Sequence, residues 1–192
     1  KMQDICLRAR WRRYSWLIFS FSFFGQLLLG IMCDSIFLLS GELHFPIPMM
    51  IIGGAVYRWE FGFMPLLLIL TILLSGPAWC SHLCYFGALD NMAAGHLSLP
   101  PKPYKFLLPA RYTILVLTVI VALVAKWSGL SYVAISGIVV LFGITGFFVM
   151  ILSYKRHMMV HCSGYCPVGA LVSLGKYISP FRFKINKEAC TL

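Results

Sequence analysis

Four long apolar runs constrain the fold of this chain more than any other feature of its sequence. They cover about Tyr14 to Leu38, Phe61 to Leu74 with flanking residues, Leu108 to Trp127, and Tyr132 to Leu152. A helix needs roughly 20 apolar residues to cross a bilayer, and a crossing segment must satisfy its own backbone hydrogen bonds. The runs therefore predict an all-α integral membrane protein with four transmembrane helices.

The charge content agrees with a membrane protein. Only 11% of the residues are charged, whereas a soluble domain carries about 25%. A formal net charge of +10 is compatible with a nucleic-acid surface, but the 16 basic residues lie between the apolar runs. That distribution is typical of membrane topology signals. We therefore expect membrane lipid around the chain and no nucleic-acid partner.

The basic residues also predict an orientation. Five precede the first run, three lie between the second and third, and six follow the fourth, whereas the other side holds only Arg58 and Lys126. The positive-inside rule then places both chain termini in the cytoplasm. The segment Phe45 to Tyr57 contains two prolines and a Gly-Gly pair, so we interpret it as an interfacial or re-entrant stretch on the outer side.

An internal repeat follows the second and fourth runs. Both copies read Cys-Ser-x-x-Cys-x-x-Gly-Ala-Leu, with Cys80 and Cys84 in the first and Cys162 and Cys166 in the second, 82 positions later. Two helical hairpins that each end in this motif predict a pseudo-two-fold axis along the membrane normal, since parallel repeats of this kind occur in membrane folds. The repeat would bring both cysteine pairs to the same depth on the cytoplasmic side.

Three interpretations of these four cysteines differ in chemistry. Stable disulfides are disfavoured, because the cytoplasm is reducing. Four thiolates suit zinc or an iron–sulfur cluster, and Cys-x(2–4)-Cys spacing is common in structural zinc sites. The pair Cys166-Pro167 resembles the closing Cys-Pro of bacterial ferredoxin motifs that hold a [4Fe–4S] cluster. We expect the cluster, with a zinc-binding structural anchor as the alternative.

A fifth cysteine, Cys190, follows a basic linker near the end of the sequence. We expect it to be a ligand of a separate C-terminal cluster. The chain is accordingly divided into a basic cytoplasmic N-terminus at 1–13, a four-helix membrane domain at 14–175, and a linker at 176–192 that leads to a truncated ferredoxin-like domain.

Several polar residues are candidates for roles near the site. His82 lies within the first motif and His161 precedes the second, so either is placed to donate a hydrogen bond to a cluster sulfur. Haem is not expected, because the runs carry no histidine pair at matched depth and no Cys-x-x-Cys-His motif is present. Candidate proton acceptors for quinol oxidation are Asp34, Glu42, His44 and Glu60. For these four residues we prefer the simpler interpretation that they lie in solvated loops.

The two motifs, the Arg-Arg pair before the first run and the four apolar runs together resemble the NapH/NosR/CcoG group of membrane iron–sulfur proteins, with a layout closest to NapH-like members. The resemblance covers nearly the whole chain. It implies a [4Fe–4S] cluster, further clusters in the C-terminal tail, and a place in the respiratory chain of a bacterial-type cytoplasmic membrane. Its expected partners are other respiratory redox subunits: ferredoxin-like, cytochrome or quinone-linked.

Members of this group differ in what they do with electrons. NapH-like proteins are regarded as quinol dehydrogenases that pass electrons to partner proteins, which implies a quinone ligand and an electron-transfer subunit of an oxidoreductase complex. NosR-like proteins feed nitrous oxide reduction. CcoG-like proteins reduce metal for copper-site assembly in a respiratory oxidase, which is the alternative function. Tyr85 stands where the group usually has proline, and this departure leaves the subfamily open.

Overall fold

The structure is a computed structural model that describes residues 5–33, 47–60, 62–75, 79–95, 105–175 and 177–180. These residues form an all-helical fold without strands. Seven α-helices and two short π-helical turns follow one another along the chain: α1 (Ile5–Met32), α2 (Pro48–Arg58), α3 (Phe63–Ser75), π1 (Trp79–Leu83), α4 (Tyr85–Ala94), α5 (Leu107–Trp127), α6 (Tyr132–Arg156), π2 (His161–Tyr165) and α7 (Pro167–Gly175).

The helices α5 and α6 match the third and fourth predicted spans. A tight turn joins them, in which Gly129 adopts a φ of 61° and the Ser131 hydroxyl accepts a hydrogen bond from the Ala134 amide. A left-handed residue after a helix ends it, and a serine at the N-cap starts the next one. Lys155 and Arg156 lie in the last turn of α6, where they interact favourably with the helix dipole.

Both helices are long and apolar enough to cross a membrane. Their apolar side chains are mostly not covered by protein, since only 11% and 17% of the most hydrophobic windows of α5 and α6 are buried. Large exposed residues such as Leu117, Val124, Phe147 and Phe148 would be unfavourable in water. Lipid is the solvent in which such a surface is stable. The prediction of two helices here is confirmed.

The second predicted span is only part of a longer unit. At 13 residues, α3 covers roughly 20 Å, which is less than the hydrocarbon thickness of about 30 Å. Together α2 and α3 satisfy the length and composition of a span, but the pair is bent by 116° at the break between them. Among the described residues, two helices are long and apolar enough to cross a membrane, or three units if α2 and α3 form one span. Four crossings remain a prediction.

The segment from Phe45 to Tyr57 was interpreted as an interfacial or re-entrant stretch on the outer side. Most of it forms α2, whose first turn lies beside the second motif, because Ile47 and Pro48 line a small void together with Cys166. The other end of α2 lies at the Lys126 end of α5, where the Lys126 ammonium is 4.5 Å from the centroid of the Trp59 ring, so the re-entrant course stays a prediction. Pro48 occupies the first turn of this helix, where its missing N–H is not needed. Residues 34–46 lie outside the described part of the chain.

The first helix, α1, extends from Ile5 to Met32 without interruption. It therefore continues through residue 13, the predicted boundary between the N-terminal segment and the membrane domain. Its predicted end at Leu38 lies outside the described residues. The middle of α1 packs on the first cysteine motif. The indole Nε1 of Trp16 donates to the Cys84 carbonyl at 2.9 Å, and the Ser20 hydroxyl donates to the Tyr85 carbonyl at 3.1 Å. Both side chains are buried, so α1 holds this motif in place.

The contact between Trp16 and Cys84 leads to a first prediction. Trp16→Phe keeps an aromatic ring but removes a buried hydrogen bond, which should lower the free energy of unfolding by about 1 to 2 kcal/mol. The matched control is Trp11→Phe, because Trp11 is 64% exposed. Melting of the purified protein in detergent measures both. Equal melting temperatures for the two variants would contradict a structural role for this bond.

Candidate metal centre

Each cysteine motif folds into a π turn that leads directly into an α-helix. In π1 the amide of Cys84 donates to the Trp79 carbonyl at 2.9 Å, and in π2 the amide of Cys166 donates to the His161 carbonyl at the same distance. The backbone angles also agree, with φ −76° and ψ 111° at Cys84 and φ −75° and ψ 118° at Cys166. The sequence repeat is thus a structural repeat at this level, and π turns of this type are frequent at functional sites.

The shared glycine explains why both copies fold in this way. A Cβ atom on Gly87 would lie 2.8 Å from the Cys80 carbonyl oxygen, and one on Gly169 would lie 2.8 Å from the Cys162 carbonyl oxygen. No real Cβ is found so close to a backbone oxygen. In each motif the helix after the second cysteine therefore packs directly on the backbone of the first cysteine.

The two motifs meet in one buried cluster. Cys84 and Cys166, which are 7% and 4% exposed, pack there with the apolar side chains of α2, α3, π1 and α7. Cys80 and Cys162 are half-buried. Burial raises the pKa of Cys162 well above its usual value, and Asp90 and then the other three cysteines of the motifs raise it further. Cys80 packs against the same cluster, and the Cys162 amide binds Asp90 of α4, so all four cysteines lie in the same part of the fold.

Burial raises the pKa of these thiols, whereas the backbone amides at the start of a helix lower it. Burial raises the pKa of Cys84 to about 11, while the backbone amides of Gly87 and Phe86 lower it. Burial, followed by the neighbouring Cys84, raises the pKa of Cys80 to about 12, and Arg111 lowers it. The thiols are accordingly protonated at neutral pH, and a metal that binds them must displace protons. The amides at the start of α4 then stabilise the resulting thiolate.

The donor set fits a [4Fe–4S] cluster. Such a cluster takes four cysteine thiolates and is tuned by hydrogen bonds to sulfur. Here four cysteines converge from two motifs, and the Cys84 sulfur accepts a hydrogen bond from the Gly87 amide at 3.4 Å. Within the described residues, no three His, Cys, Asp or Glu side chains are arranged to hold a single metal ion. The described side chains therefore form no ready-made site for a single metal ion.

The two predicted histidines are placed differently. His161 is 2% exposed, stacks on Phe86, and has its Nδ1 atom 3.3 Å from the Gly146 carbonyl. Burial lowers the pKa of this imidazole, although Asp90 opposes the effect. Its Nε2 atom is buried without a partner among the described residues. His82, in contrast, is exposed, so His161 is the histidine of the buried site.

Two charged residues of the site were missed by sequence reasoning. Asp90 is fully buried on α4, and its Oδ2 atom accepts a hydrogen bond from the Cys162 amide at 2.9 Å. Arg111 on α5 has a buried Nε atom without a partner in the described part of the chain. Asp90 is one of only six acidic residues and follows Cys84 by six positions, which could have singled it out. Arg111 was counted only as a topology signal.

The remaining candidates lie away from this site or outside the described residues. Glu60 is exposed at the end of α2. Cys190, Asp34, Glu42 and His44 fall in segments that are not described, as does most of the linker predicted at 176–192. Their expected roles stay predictions.

The comparisons with known proteins agree with the geometry. A family model described as a 4Fe-4S binding domain matches residues 57–102 and 133–187, which together exceed half of the chain. Each matched segment contains one of the two cysteine motifs. No curated protein and no solved structure matches the chain.

The close approach of the two glycines leads to a second prediction. Gly87→Ala and Gly169→Ala should each lower the free energy of unfolding by about 1 to 3 kcal/mol, the usual effect of an added methyl group in a packed interior. Each should also reduce the iron content of the purified protein, because the backbone of the first cysteine must move. Gly137→Ala is the control, since nothing lies within 4 Å of a Cβ at that position. Full iron content in both motif variants would contradict the proposed packing constraint.

Proposed function

Because this chain belongs to the 4Fe-4S binding domain family, we propose that it is a membrane-bound iron–sulfur electron-transfer protein whose cluster is held by Cys80, Cys84, Cys162 and Cys166. The observation that carries the proposal is the meeting of the two matched motifs, since Cys84 and Cys166 share one buried cluster. When bound, a [4Fe–4S] cluster supplies one-electron chemistry.

The residues around the cysteines suit that role. The apolar side chains of Leu68, Trp79 and Val168 surround Cys84 and Cys166, which keeps water away from the sulfur atoms. A dry surrounding and hydrogen bonds to sulfur are the features through which a protein sets the potential of such a site. Neither feature requires a proton to move at the cysteines once their thiolates have formed.

Replacement of single cysteines tests the proposed ligands. Cys80→Ser and Cys162→Ser should each lose most of the bound iron and the EPR signal that appears on reduction, because one thiolate is missing. Cys33→Ser is the matched control, since Cys33 is exposed and lies at the end of α1. Iron and sulfide are measured in the purified protein.

A colourless wild-type protein with one zinc per chain would contradict the electron-transfer proposal and would favour a zinc-binding structural anchor. Full electron flux in the Cys80→Ser variant would exclude this residue as an essential ligand.

The finer part of the proposal concerns the electron donor, which we take to be a membrane quinol, as the NapH-like resemblance implies. A cavity of about 410 Å³ supports it. The cavity lies between α2, α5 and α6, and its lining is mainly apolar, with Met49, Met50 and Val139 among the contributors. The polar contributors include Tyr57, Arg58 and Ser136. Apolar pockets of this size with a few polar groups are typical of small-molecule sites.

The cavity extends along α2 towards the cysteines. Met49 lines the cavity, and its neighbour Pro48 lines the small void that Cys166 also borders. A quinol ring at the Met49 end of the cavity would therefore lie next to the residues that border the second motif. We propose that the motifs face the cytoplasm of a bacterial-type membrane, as the basic residues indicate, and that a respiratory redox partner accepts the electrons there.

Filling the cavity tests the quinol proposal. Ala122→Phe places a large side chain in the cavity lining, so quinol-driven reduction of the protein should slow at least about tenfold. Val124→Phe is the matched control, because Val124 is two positions further along the same helix, on its opposite side, and is 56% exposed. Iron content and reduction by dithionite should be normal in both variants.

Equal rates with quinol in the two variants would contradict a quinol site in this cavity. Rapid oxidation of the reduced protein by Cu(II), together with no reaction with quinol, would favour the metal-reducing alternative.

A further inference from the structure

Two charged residues of the buried site, Asp90 and Arg111, lie outside the repeated Cys-Ser-x-x-Cys-x-x-Gly-Ala-Leu motifs. Asp90 lies on α4, in the first half of the repeat, but its carboxylate accepts the amide of Cys162, in the second half. Its Oδ1 atom is buried without a partner among the described residues. A buried carboxylate with a single hydrogen bond is costly, so its presence beside four cysteines calls for a reason other than packing.

The repeat itself shows that packing is not the reason. Asp90 follows Cys84 by six positions, and Val172 follows Cys166 by six positions. Val172 is buried as well, at 4% exposure. The equivalent place in the second copy is therefore filled by an apolar residue of similar size, and the charge is a feature of the first copy alone.

Arg111 approaches the site from α5. The neighbouring residues on this helix hold it there: Leu107 packs against Gly164 of π2, and the Tyr112 hydroxyl lies 2.8 Å from the Ser173 hydroxyl of α7. The Nε atom of Arg111 is buried without a partner among the described residues. Arg111 follows Leu107 by four positions, so both lie on the face of α5 that packs on π2. Asp90 binds the Cys162 amide of the same turn, and its charge is opposite to that of Arg111.

We propose that Asp90 and Arg111 are positioning residues of opposite charge that set the reduction potential of the site, Asp90 lowering it and Arg111 raising it. Reduction adds one electron, and hence one negative charge, to a buried site. A nearby carboxylate opposes that charge and a nearby guanidinium stabilises it, and both effects are strong where water is excluded. The inference rests on the proposed iron–sulfur function. Asp90 has the second task of fixing the Cys162 backbone.

The test is an EPR-monitored redox titration of the iron-loaded full chain. Asp90→Asn keeps the size and an oxygen acceptor but removes the charge, so the midpoint potential should rise. Arg111→Gln should lower it. We expect each substitution to change the ratio of reduced to oxidised protein at a fixed potential at least tenfold. For a one-electron couple this corresponds to a shift of the midpoint potential of about 59 mV.

Three further variants separate charge from packing. Arg111→Lys keeps the charge and should preserve the potential. Tyr112→Phe removes a neighbouring hydrogen bond without changing charge and should leave the potential unaltered. Asp90→Val copies the second half of the repeat; it should raise the potential as Asp90→Asn does, and it should also reduce the iron content because the Cys162 amide loses its acceptor.

Opposite shifts for Asp90→Asn and Arg111→Gln support the inference, since a general loosening of the site would shift both in one direction. Unchanged potentials, or shifts of the same sign, overturn it while leaving the iron–sulfur function intact. If Asp90→Asn does not load iron, the comparison of Arg111→Gln with Arg111→Lys decides: equal potentials overturn the inference. A wild-type protein that binds no iron overturns the proposed function and this inference with it.

Discussion

The packing of Cys84 and Cys166 into one buried cluster is the interaction on which the rest of the structure depends. These residues are far apart in the chain, so no local preference brings them together. Each is the residue between a π turn and an α-helix, and in each motif a glycine lets that helix lie on the backbone of the first cysteine. The long helices then serve to bring two such units face to face.

Burial of the cysteines creates an electrostatic conflict that the surrounding backbone reduces. A buried thiolate is costly, as the raised pKa values of Cys80 and Cys84 show. The Gly87 amide at the start of α4 donates to the Cys84 sulfur, and the positive charge of Arg111 lowers the pKa of Cys80. Asp90 acts against both. The hydrogen bond to the Cys162 amide requires only an oxygen acceptor, whereas the charge of the carboxylate gives a redox site a means of setting its potential.

The parts of the fold that follow from hydrophobic length were predictable. The third and fourth runs became α5 and α6, because an uninterrupted apolar run of that length is stable only as a helix in lipid. The pairing of the two motifs was predictable from their identical spacing. The helix α2 was not predictable, because Pro48 and the glycines of this segment usually break helices. In the structure Pro48 starts the helix, and Gly53 packs against Thr118 of α5. Asp90 and Arg111 were missed because their role depends on contacts between the two halves of the repeat.

The difference between Tyr85 and Pro167 shows how the two halves reach the same backbone by different means. A proline restricts the residue before it to extended backbone angles, and Cys166 before Pro167 has such angles. Cys84 has nearly the same angles with no proline after it. In the first half α1 replaces the proline: Trp16 and Ser20 bind the carbonyls of Cys84 and Tyr85, and Phe23 stacks on the Tyr85 ring at 4.5 Å. Tyr85 departs from the proline of the group that the sequence resembles, but the backbone at Cys84 stays constrained, because the packing of the first helix takes the place of the pyrrolidine ring.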